Sequence, residues 1–163
     1  MRRRPEARGM QGAALFIAAV LASCGVVTPM PGRSVVLPPE QAEYLLHPCS
    51  RAAPSSVDGT WPVTSEVIEK LEANLSKLTR VRAKECCILK ARVQDPAVYY
   101  RQYIGIIVDG RKLVYVNAFR SLADHEQWQT RAVDVCDGGE DYWGVVYDPE
   151  MEEFSQLAVN GVS

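Results

Sequence analysis

The spacing of apolar positions changes near residue 85, and this change predicts one helix followed by several strands. Between residues 65 and 79 the apolar residues recur every three or four positions, which is the spacing of an amphipathic helix with one apolar stripe. Thr64 or Ser65 followed by Glu66 is a typical helix start. Farther along, apolar residues gather in short β-rich runs. We expect strands at residues 86–93, 98–108, 112–119, 131–136, 142–148 and 153–159.

Turn signals between these runs indicate antiparallel hairpins. Asp109-Gly110 tolerates the positive φ of a tight hairpin turn, and residues 148–150 mark a second turn. A short helix is expected at residues 121–128. One helix with several antiparallel strands predicts an α+β fold, in which the helix packs on an antiparallel sheet of about five to six strands. A cystatin-like or nuclear-transport-factor-like wrap is the expected form.

The first residues differ chemically from the rest of the chain. Arg2, Arg3 and Arg4 form a basic start, and an uncharged, mostly apolar run follows from residue 12 to residue 23. A transmembrane helix needs about 20 apolar residues, so this run is too short to span a bilayer. Basic residues before a short apolar run are typical of a secretory signal peptide. Residues 1–23 are therefore predicted to be a signal peptide.

Cys24 ends this region in the sequence Leu21-Ala22-Ser23-Cys24, which resembles the lipobox of bacterial lipoproteins. The resemblance implies that diacylglycerol is attached to the Cys24 thiol, that the chain is cut before Cys24, and that the new amino group is acylated. Two or more acyl chains hold a protein stably on a bilayer, so membrane lipid is an expected partner. Gly25, where the inner-membrane retention signal of such lipoproteins is Asp, implies the outer membrane. An inner-membrane location, or secretion after an ordinary signal-peptide cut, is the alternative.

The overall composition is that of an ordinary globular protein. The chain has 163 residues, 47% of them hydrophobic and 23% charged, and a formal net charge of -2. These values favour one domain and exclude collagen, coiled coils, histone-like basic proteins and fully disordered chains. Nucleic acid is not expected as a partner of a net-acidic exported protein.

Prolines are concentrated after Cys24 and predict a tether. Seven of the ten prolines lie between residues 25 and 62. Such a stretch is disfavoured in helices and central strands, so residues 24–62 are expected to form a semi-extended, lipidated tether with a short helical turn at residues 41–46. The α+β domain is expected at residues 63–163.

Four cysteines besides Cys24 predict two disulfides in an oxidising compartment. They are Cys49, Cys86, Cys87 and Cys136. A bond between the adjacent Cys86 and Cys87 closes a strained ring, and each remaining pairing joins one of these two to Cys49 and the other to Cys136. A thiol site for copper or redox chemistry is the less favoured alternative, because the sequence has no Cys-x-x-Cys.

Residues typical of catalytic sites are sparse. The chain has two histidines, His47 in the expected tether and His125 in a polar connection, and neither setting positions an imidazole for nucleophilic catalysis. The sequence has no Gly-rich phosphate loop, HExxH, CxxC pair or EF-hand loop. The chain is therefore expected not to be an enzyme, and no cofactor is expected beyond the acyl chains on Cys24.

The most distinctive string runs from residue 136 to residue 144 and combines acids, glycines and aromatic residues. Its carboxylates, with one that precedes it, are candidate oxygen ligands for Ca²⁺. These candidates are Asp134, Asp137, Glu140 and Asp141. The favoured interpretation is a hairpin loop with solvated carboxylates and no metal.

Aromatic residues on the predicted strands divide between core and surface. Tyr99 and Tyr103 share one face of their strand and Tyr100 lies on the other. Packing is the favoured role for this set, and Tyr142 and Trp143 are the candidates for a recognition surface. With these two residues and the apolar positions that follow, residues 86–163 resemble the C-terminal region of a group of uncharacterised proteobacterial lipoproteins. That resemblance implies no activity.

Together these features predict a lipoprotein of the bacterial cell envelope that acts as a non-enzymatic binding or assembly module. Another envelope protein is the expected macromolecular partner. Two alternatives stay open. One is an inhibitor or immunity protein that inserts the loop at residues 137–141 into the cleft of an envelope enzyme. The other is a calcium-binding protein or an enzyme that uses the same loop.

Overall fold

The computed structural model describes residues 32–83 and 91–162. The predicted signal peptide, the lipidation site Cys24, and both Cys86 and Cys87 lie outside these residues. Within the two described ranges, no helix combines the length and the apolar character that crossing a membrane requires.

Two α-helices and six β-strands make up the described chain, which confirms the predicted α+β fold. The helices are α1 (Ala42–Leu46) and α2 (Ser65–Asn74). The strands are β1 (Ser34–Val36), β2 (Val57–Thr60), β3 (Tyr100–Val108), β4 (Arg111–Phe119), β5 (Tyr142–Asp148) and β6 (Glu153–Val159). Short 3-10 helices lie at Pro39–Gln41, Leu75–Arg80, Pro96–Val98 and Gly139–Asp141.

The six strands form one sheet in the order β1-β3-β4-β5-β6, and β2 shares an edge of β3 with β1. β1 runs parallel to the first half of β3, where Ser34 is opposite Arg101. β2 runs antiparallel to the second half, where Thr60 is opposite Ile106. The other neighbours are antiparallel. The predicted hairpin between β3 and β4 is confirmed, and both of its turn residues, Asp109 and Gly110, have positive φ.

One face of the sheet, here called the helix face, packs against α2 and the 3-10 helix that continues it. The apolar stripe predicted for residues 65–79 is confirmed, because Leu71, Leu75 and Leu78 are fully buried there. Alternate residues of the central strands face this stripe and include Tyr103, Val116, Val145 and Trp143. This layer is the larger part of the apolar core.

The opposite face, here called the loop face, is covered by the N-terminal segment and by the connection between β4 and β5. Leu37 and Leu45 pack against Ile104, Tyr115 and Val146 of the sheet. β3 and β4 are therefore buried on both sides, which explains their nearly continuous runs of buried residues.

The tether prediction for residues 24–62 is wrong from Ser34 onward. Residues 34–60 supply β1, α1 and β2 to the domain, and the helical turn expected at residues 41–46 is present as the end of a 3-10 turn followed by α1. Prolines are compatible with this arrangement because Pro39 begins a 3-10 helix and the flanking strands are short edge strands. The folded domain thus starts close to the predicted lipidation site.

Three of the expected elements do not form as predicted. Residues 131–136 are not a strand, and residues 121–128 form successive turns instead of a helix, with His125 N donating to Leu122 O at 3.0 Å. Residues 86–90 of the expected first strand lie outside the described residues, and residues 91–93 are not a strand. Residues 131–136 do not form a strand because side-chain amides take the place of a neighbouring strand as their hydrogen-bond partners.

Candidate functional site

Two polar side chains in the middle of the sheet hold the β4–β5 connection against the loop face. Asn117 Nδ2 donates to Val133 O at 2.8 Å and to Gln102 Oε1 at 2.9 Å. Gln102 Oε1 also accepts from Val133 N at 2.9 Å, and Gln102 Nε2 donates to Arg131 O at 2.6 Å. In a strand, these backbone groups would pair with a neighbouring strand. Here they pair with side-chain amides, so the connection is fixed without becoming part of the sheet.

Arg51 is buried on the same face and extends this polar cluster. Its side chain donates to Asn160 Oδ1 at 2.6 Å through Nη1, to Asn117 Oδ1 through Nη2, and to the Tyr115 hydroxyl at 3.4 Å through Nε. All three acceptors are neutral, and no carboxylate of residues 32–83 or 91–162 forms an ion pair with Arg51. The guanidinium lies over Gly144, where a Cβ would come within 2.2 Å of the Tyr115 hydroxyl oxygen.

A disulfide joins Cys49 to Cys136, so the predicted pairing of these cysteines with Cys86 and Cys87 is wrong. The chain beside Cys49 contacts the same region, because Ser50 Oγ accepts from Asp137 N at 2.9 Å. The prediction excluded a Cys86–Cys87 bond and therefore gave both Cys49 and Cys136 a partner from that pair, whereas the segment that contains Cys49 crosses the loop face and reaches Cys136, just before the acidic loop at residues 137–141.

Among the described residues, including those of the acidic loop at residues 137–141, no group of three or more His, Cys, Asp or Glu side chains is placed to hold a metal ion. Asp137, Gly138 and Gly139 all have positive φ, and they lead into the 3-10 helix before β5 instead of closing a hairpin. Asp134, Glu140 and Asp141 are exposed, and Asp141 pairs with Arg120 at 3.4 Å. Hydrogen bonds to the backbone of this loop help to fix its geometry: Gly139 N donates to Gly161 O at 3.0 Å, and Asn160 Nδ2 donates to Asp137 O at 2.8 Å.

The two aromatic residues proposed for recognition have different positions. Trp143 is 0% exposed and packs edge-on against Tyr99 with ring centroids 5.4 Å apart, so its predicted recognition role is wrong. It faces α2 because its position on β5 is in register with the inward residues of β4. Tyr142 is half-buried, and its ring lies 6.4 Å from the ring of His125. Burial raises the pKa of Tyr142 above the usual tyrosine value.

A buried ion pair joins α2 to the sheet on the helix face. Glu72 Oε2 lies 3.2 Å from Arg101 Nη2, and Glu72 Oε1 accepts from both Arg101 Nε and the Tyr103 hydroxyl. Arg101 also donates to the backbone oxygen of Tyr99 at 2.6 Å. Every group of this cluster has a partner and little contact with solvent, which makes it a structural link and not a binding site.

A cleft of about 510 Å³ lies in the β4–β5 connection. We call it the 124–133 cleft. Its lining combines two buried apolar residues, Trp128 and Val133, with exposed polar and charged residues. The complete lining is Asp124, His125, Glu126, Gln127, Trp128, Arg131, Ala132 and Val133. Its size is in the range of small-ligand sites, about 300–1,000 Å³.

A second hollow of about 380 Å³ adjoins this cleft and shares Arg131 and Ala132 with it. Its other lining residues are Gln41 and Tyr44 of the N-terminal segment. Tyr44 is 64% exposed, the highest value among the exposed large hydrophobic residues. Gln41 also fixes the shared wall, because its Oε1 accepts from Ala132 N at 2.9 Å.

Both signs of charge line the 124–133 cleft. Asp124 and Glu126 are exposed carboxylates of its lining, and Arg131 is an exposed guanidinium of the same lining. None of the three takes part in an ion pair with any other described residue. The arrangement suits a ligand that carries a negative group and a positive group.

Sequence reasoning missed this cleft because it treated residues 121–136 as a helix and a strand. The available signal was the pair Gln102 and Asn117, two polar residues at inward positions of otherwise apolar strands. Such residues need partners when buried, and their partners turn out to be the backbone of the cleft. No protein-family model, curated protein or solved structure matches the chain.

Proposed function

We propose that the chain is a lipid-anchored protein of the bacterial cell envelope, held by acyl chains on Cys24 at the periplasmic face of the outer membrane. The sequence Leu21-Ala22-Ser23-Cys24 carries this proposal, because an aliphatic residue, two small residues and a cysteine directly follow a short apolar run. Each buried CH₂ contributes about 0.8 kcal/mol, so two or more acyl chains anchor the protein stably.

The folded domain acts as a non-enzymatic binding module, and the 124–133 cleft is its binding site. Support comes from three properties of the cleft: a volume suited to a small ligand or a chain segment, two buried apolar lining residues, and charges of both signs that form no ion pair with another described residue. The hydrogen bonds from Gln102 and Asn117 hold this wall in place before any ligand binds.

The anchor is tested by intact mass spectrometry of the protein purified from bacterial membranes. The expected mass is that of a chain beginning at Cys24 with diacylglycerol and one further acyl chain. The Cys24→Ala variant should leave the membrane fraction or remain uncut. A mature protein without fatty acid that still begins at Cys24 would contradict the proposal.

The binding role is tested in cells with a photoreactive amino acid placed on the membrane-anchored protein. At position 126 the probe lies on the wall of the cleft, and at position 153 it lies at the exposed first residue of β6, away from the cleft. Crosslinks are expected from position 126 and not from position 153. Equal crosslinking at both positions, or none at position 126, would remove the cleft as the binding site.

A further inference from the structure

The chain enters the domain at the same end of the sheet as the 124–133 cleft. β1 begins at Ser34 beside the start of β3, and Tyr100 at that start is opposite Phe119 at the end of β4. The turn at residues 109–110 and the turn between β5 and β6 lie at the other end of the sheet. We call the first end the anchor end and the second the far end.

A short line of side-chain contacts leads from the chain entry to the cleft. The guanidinium of Arg33 lies over the ring of Tyr100, 4.5 Å from its centroid. The ring of Tyr100 contacts that of Trp128, the floor of the cleft, with centroids 5.4 Å apart. One aromatic ring thus separates the first described residues from the cleft.

Covalent geometry places this end toward the bilayer when Cys24 carries the anchor. Strands β3 and β4 have 9 residues each, so the sheet is about 30 Å long. The connector from Cys24 to Arg33 spans about 30 Å at most. Turning the far end to the bilayer needs a fully extended connector, whereas the anchor end reaches the bilayer with any connector conformation.

Lipid headgroups are then the first chemical groups that the cleft meets. A phosphoethanolamine headgroup carries an anionic phosphate and a primary ammonium on one short chain. Arg131 offers the planar donor pair that binds phosphate oxygens, while Asp124 and Glu126 accept from an ammonium. Exposed Tyr44 in the adjoining hollow has the apolar ring and polar hydroxyl that suit a membrane interface.

We infer that the 124–133 cleft binds the phosphoethanolamine headgroup of the bilayer in which Cys24 is anchored, with the phosphate at Arg131 and the ammonium at Asp124 and Glu126. This inference rests on the proposed lipid anchor and specifies the ligand of the proposed binding site. Its consequence is a domain held against the bilayer at a defined face, with the far end left to meet other partners.

The test measures backbone hydrogen exchange of the lipidated protein in nanodiscs. One set contains phosphatidylethanolamine with phosphatidylglycerol, and the other contains phosphatidylglycerol alone. Backbone exchange in residues 124–132 is expected to be about tenfold slower in the first set, because a cleft that is mostly occupied by the headgroup opens less often. Residues 109–112 at the far end serve as the internal reference and should exchange equally in both sets.

Charge variants separate headgroup binding from simple closeness to the membrane. Arg131→Gln and Asp124→Asn are each expected to abolish the lipid-dependent slowing, and Asn accepts the positive φ of residue 124. Arg80→Gln and Glu153→Gln make the same charge changes away from the cleft and should leave the slowing intact.

Equal protection in both lipid sets, no protection in either, or protection that survives both cleft variants would overturn the inference. The lipid-anchor proposal is tested separately, because the intact mass of the same sample shows whether Cys24 carries fatty acid. A lipidated protein without lipid-dependent protection therefore contradicts the headgroup site alone.

Discussion

At the scale of single residues, the loop face depends on a few polar side chains and one glycine. Gln102, Asn117 and Asn160 replace a strand as partners for the β4–β5 connection, and Arg51 joins two of these amides to the hydroxyl of Tyr115. Arg51 and Tyr115 meet over Gly144, the one residue of β5 without a side chain. The close approach requires glycine at this position.

We predict that Gly144→Ala destabilises the protein by about 1–3 kcal/mol, as overpacking of a filled interior does. The new Cβ would lie 2.2 Å from the Tyr115 hydroxyl oxygen and 3.0 Å from Arg51 Nε. Gly59→Ala is the matched control, because nothing lies within 4 Å of a Cβ built there. Urea unfolding of both variants provides the measurement, and equal midpoints would contradict the predicted contact.

Tyr103 predicts how stability depends on alkaline pH. Burial, above all other causes, raises the pKa of Tyr103 well above the usual value near 10 in the folded protein. In the unfolded chain the phenol loses its proton near pH 10, so the stabilising contribution is complete below pH 10 and falls as the pH rises further, by up to about 1.4 kcal/mol per pH unit.

The measurement is chemical unfolding between pH 8 and pH 12 for the natural protein and for Tyr103→Phe. The variant should lose stability less steeply above pH 10, although it is less stable at neutral pH because Glu72 and Arg101 lose a partner. Burial also raises the pKa of Tyr99 and Tyr147, so some decline persists in the variant. Identical slopes would show that Tyr103 ionises equally easily in both states.

At the scale of elements, the helices and strands that depend on nearby residues in the sequence were predictable, and those that depend on residues far along the chain were not. The hairpin of β3 and β4 needs only a turn and two apolar runs, and α2 needs only its stripe and its start signal. β1 has 3 residues and exists because it lies beside β3, far along the chain. The short sequence of β1 shows little strand pattern, so the tether prediction for this region rested on its many prolines.

Truncation tests the contribution of the N-terminal elements. In the mature chain with Cys24→Ala, removing residues 24–32 should leave the free energy of unfolding within about 0.5 kcal/mol of the starting value, because β1 and the contacts of Arg33 are kept. Removing residues 24–46 deletes β1 and α1 and exposes the face that Leu37 and Leu45 cover. Burying each of these leucines contributes about 2 kcal/mol, so we expect this shorter chain to be largely unfolded.

Thermal unfolding followed by circular dichroism distinguishes the two truncations. If the chain that lacks residues 24–46 unfolded cooperatively with an unchanged midpoint, residues 34–46 would be a tether and not part of the folded domain.

At the scale of the whole molecule, the Cys49–Cys136 disulfide closes a loop with a sequence separation of 87. It fastens the N-terminal segment to the connection that forms the cleft. Chain-entropy reasoning assigns about 4–5 kcal/mol to a loop of this size, and observed values for lost native disulfides are about 2–5 kcal/mol. The disulfide therefore stabilises the loop face as a unit.

We predict that Cys49→Ser and Cys136→Ser each lower the free energy of unfolding by about 2–5 kcal/mol. The double variant should cost no more than either single variant, because both remove the same bond. Mass mapping without reductant should recover the peptides of Cys49 and Cys136 joined to each other. Recovery of Cys49 joined to Cys86 or Cys87 would contradict the observed pairing.

The sequence by itself determined the fold class, α2 and the pairs of strands joined by tight turns, and it predicts export and lipidation. These features depend on periodicity, turn chemistry or a short local motif, which neighbouring residues specify. The tertiary structure decided the disulfide pairing, the place of residues 34–60, the burial of Trp143 and the existence of the cleft. Each of these depends on which segments, distant in the sequence, meet across the sheet. Buried polar side chains such as Asn117 and Arg51 need hydrogen-bond partners from those segments, and these partners come together only when the whole chain has folded.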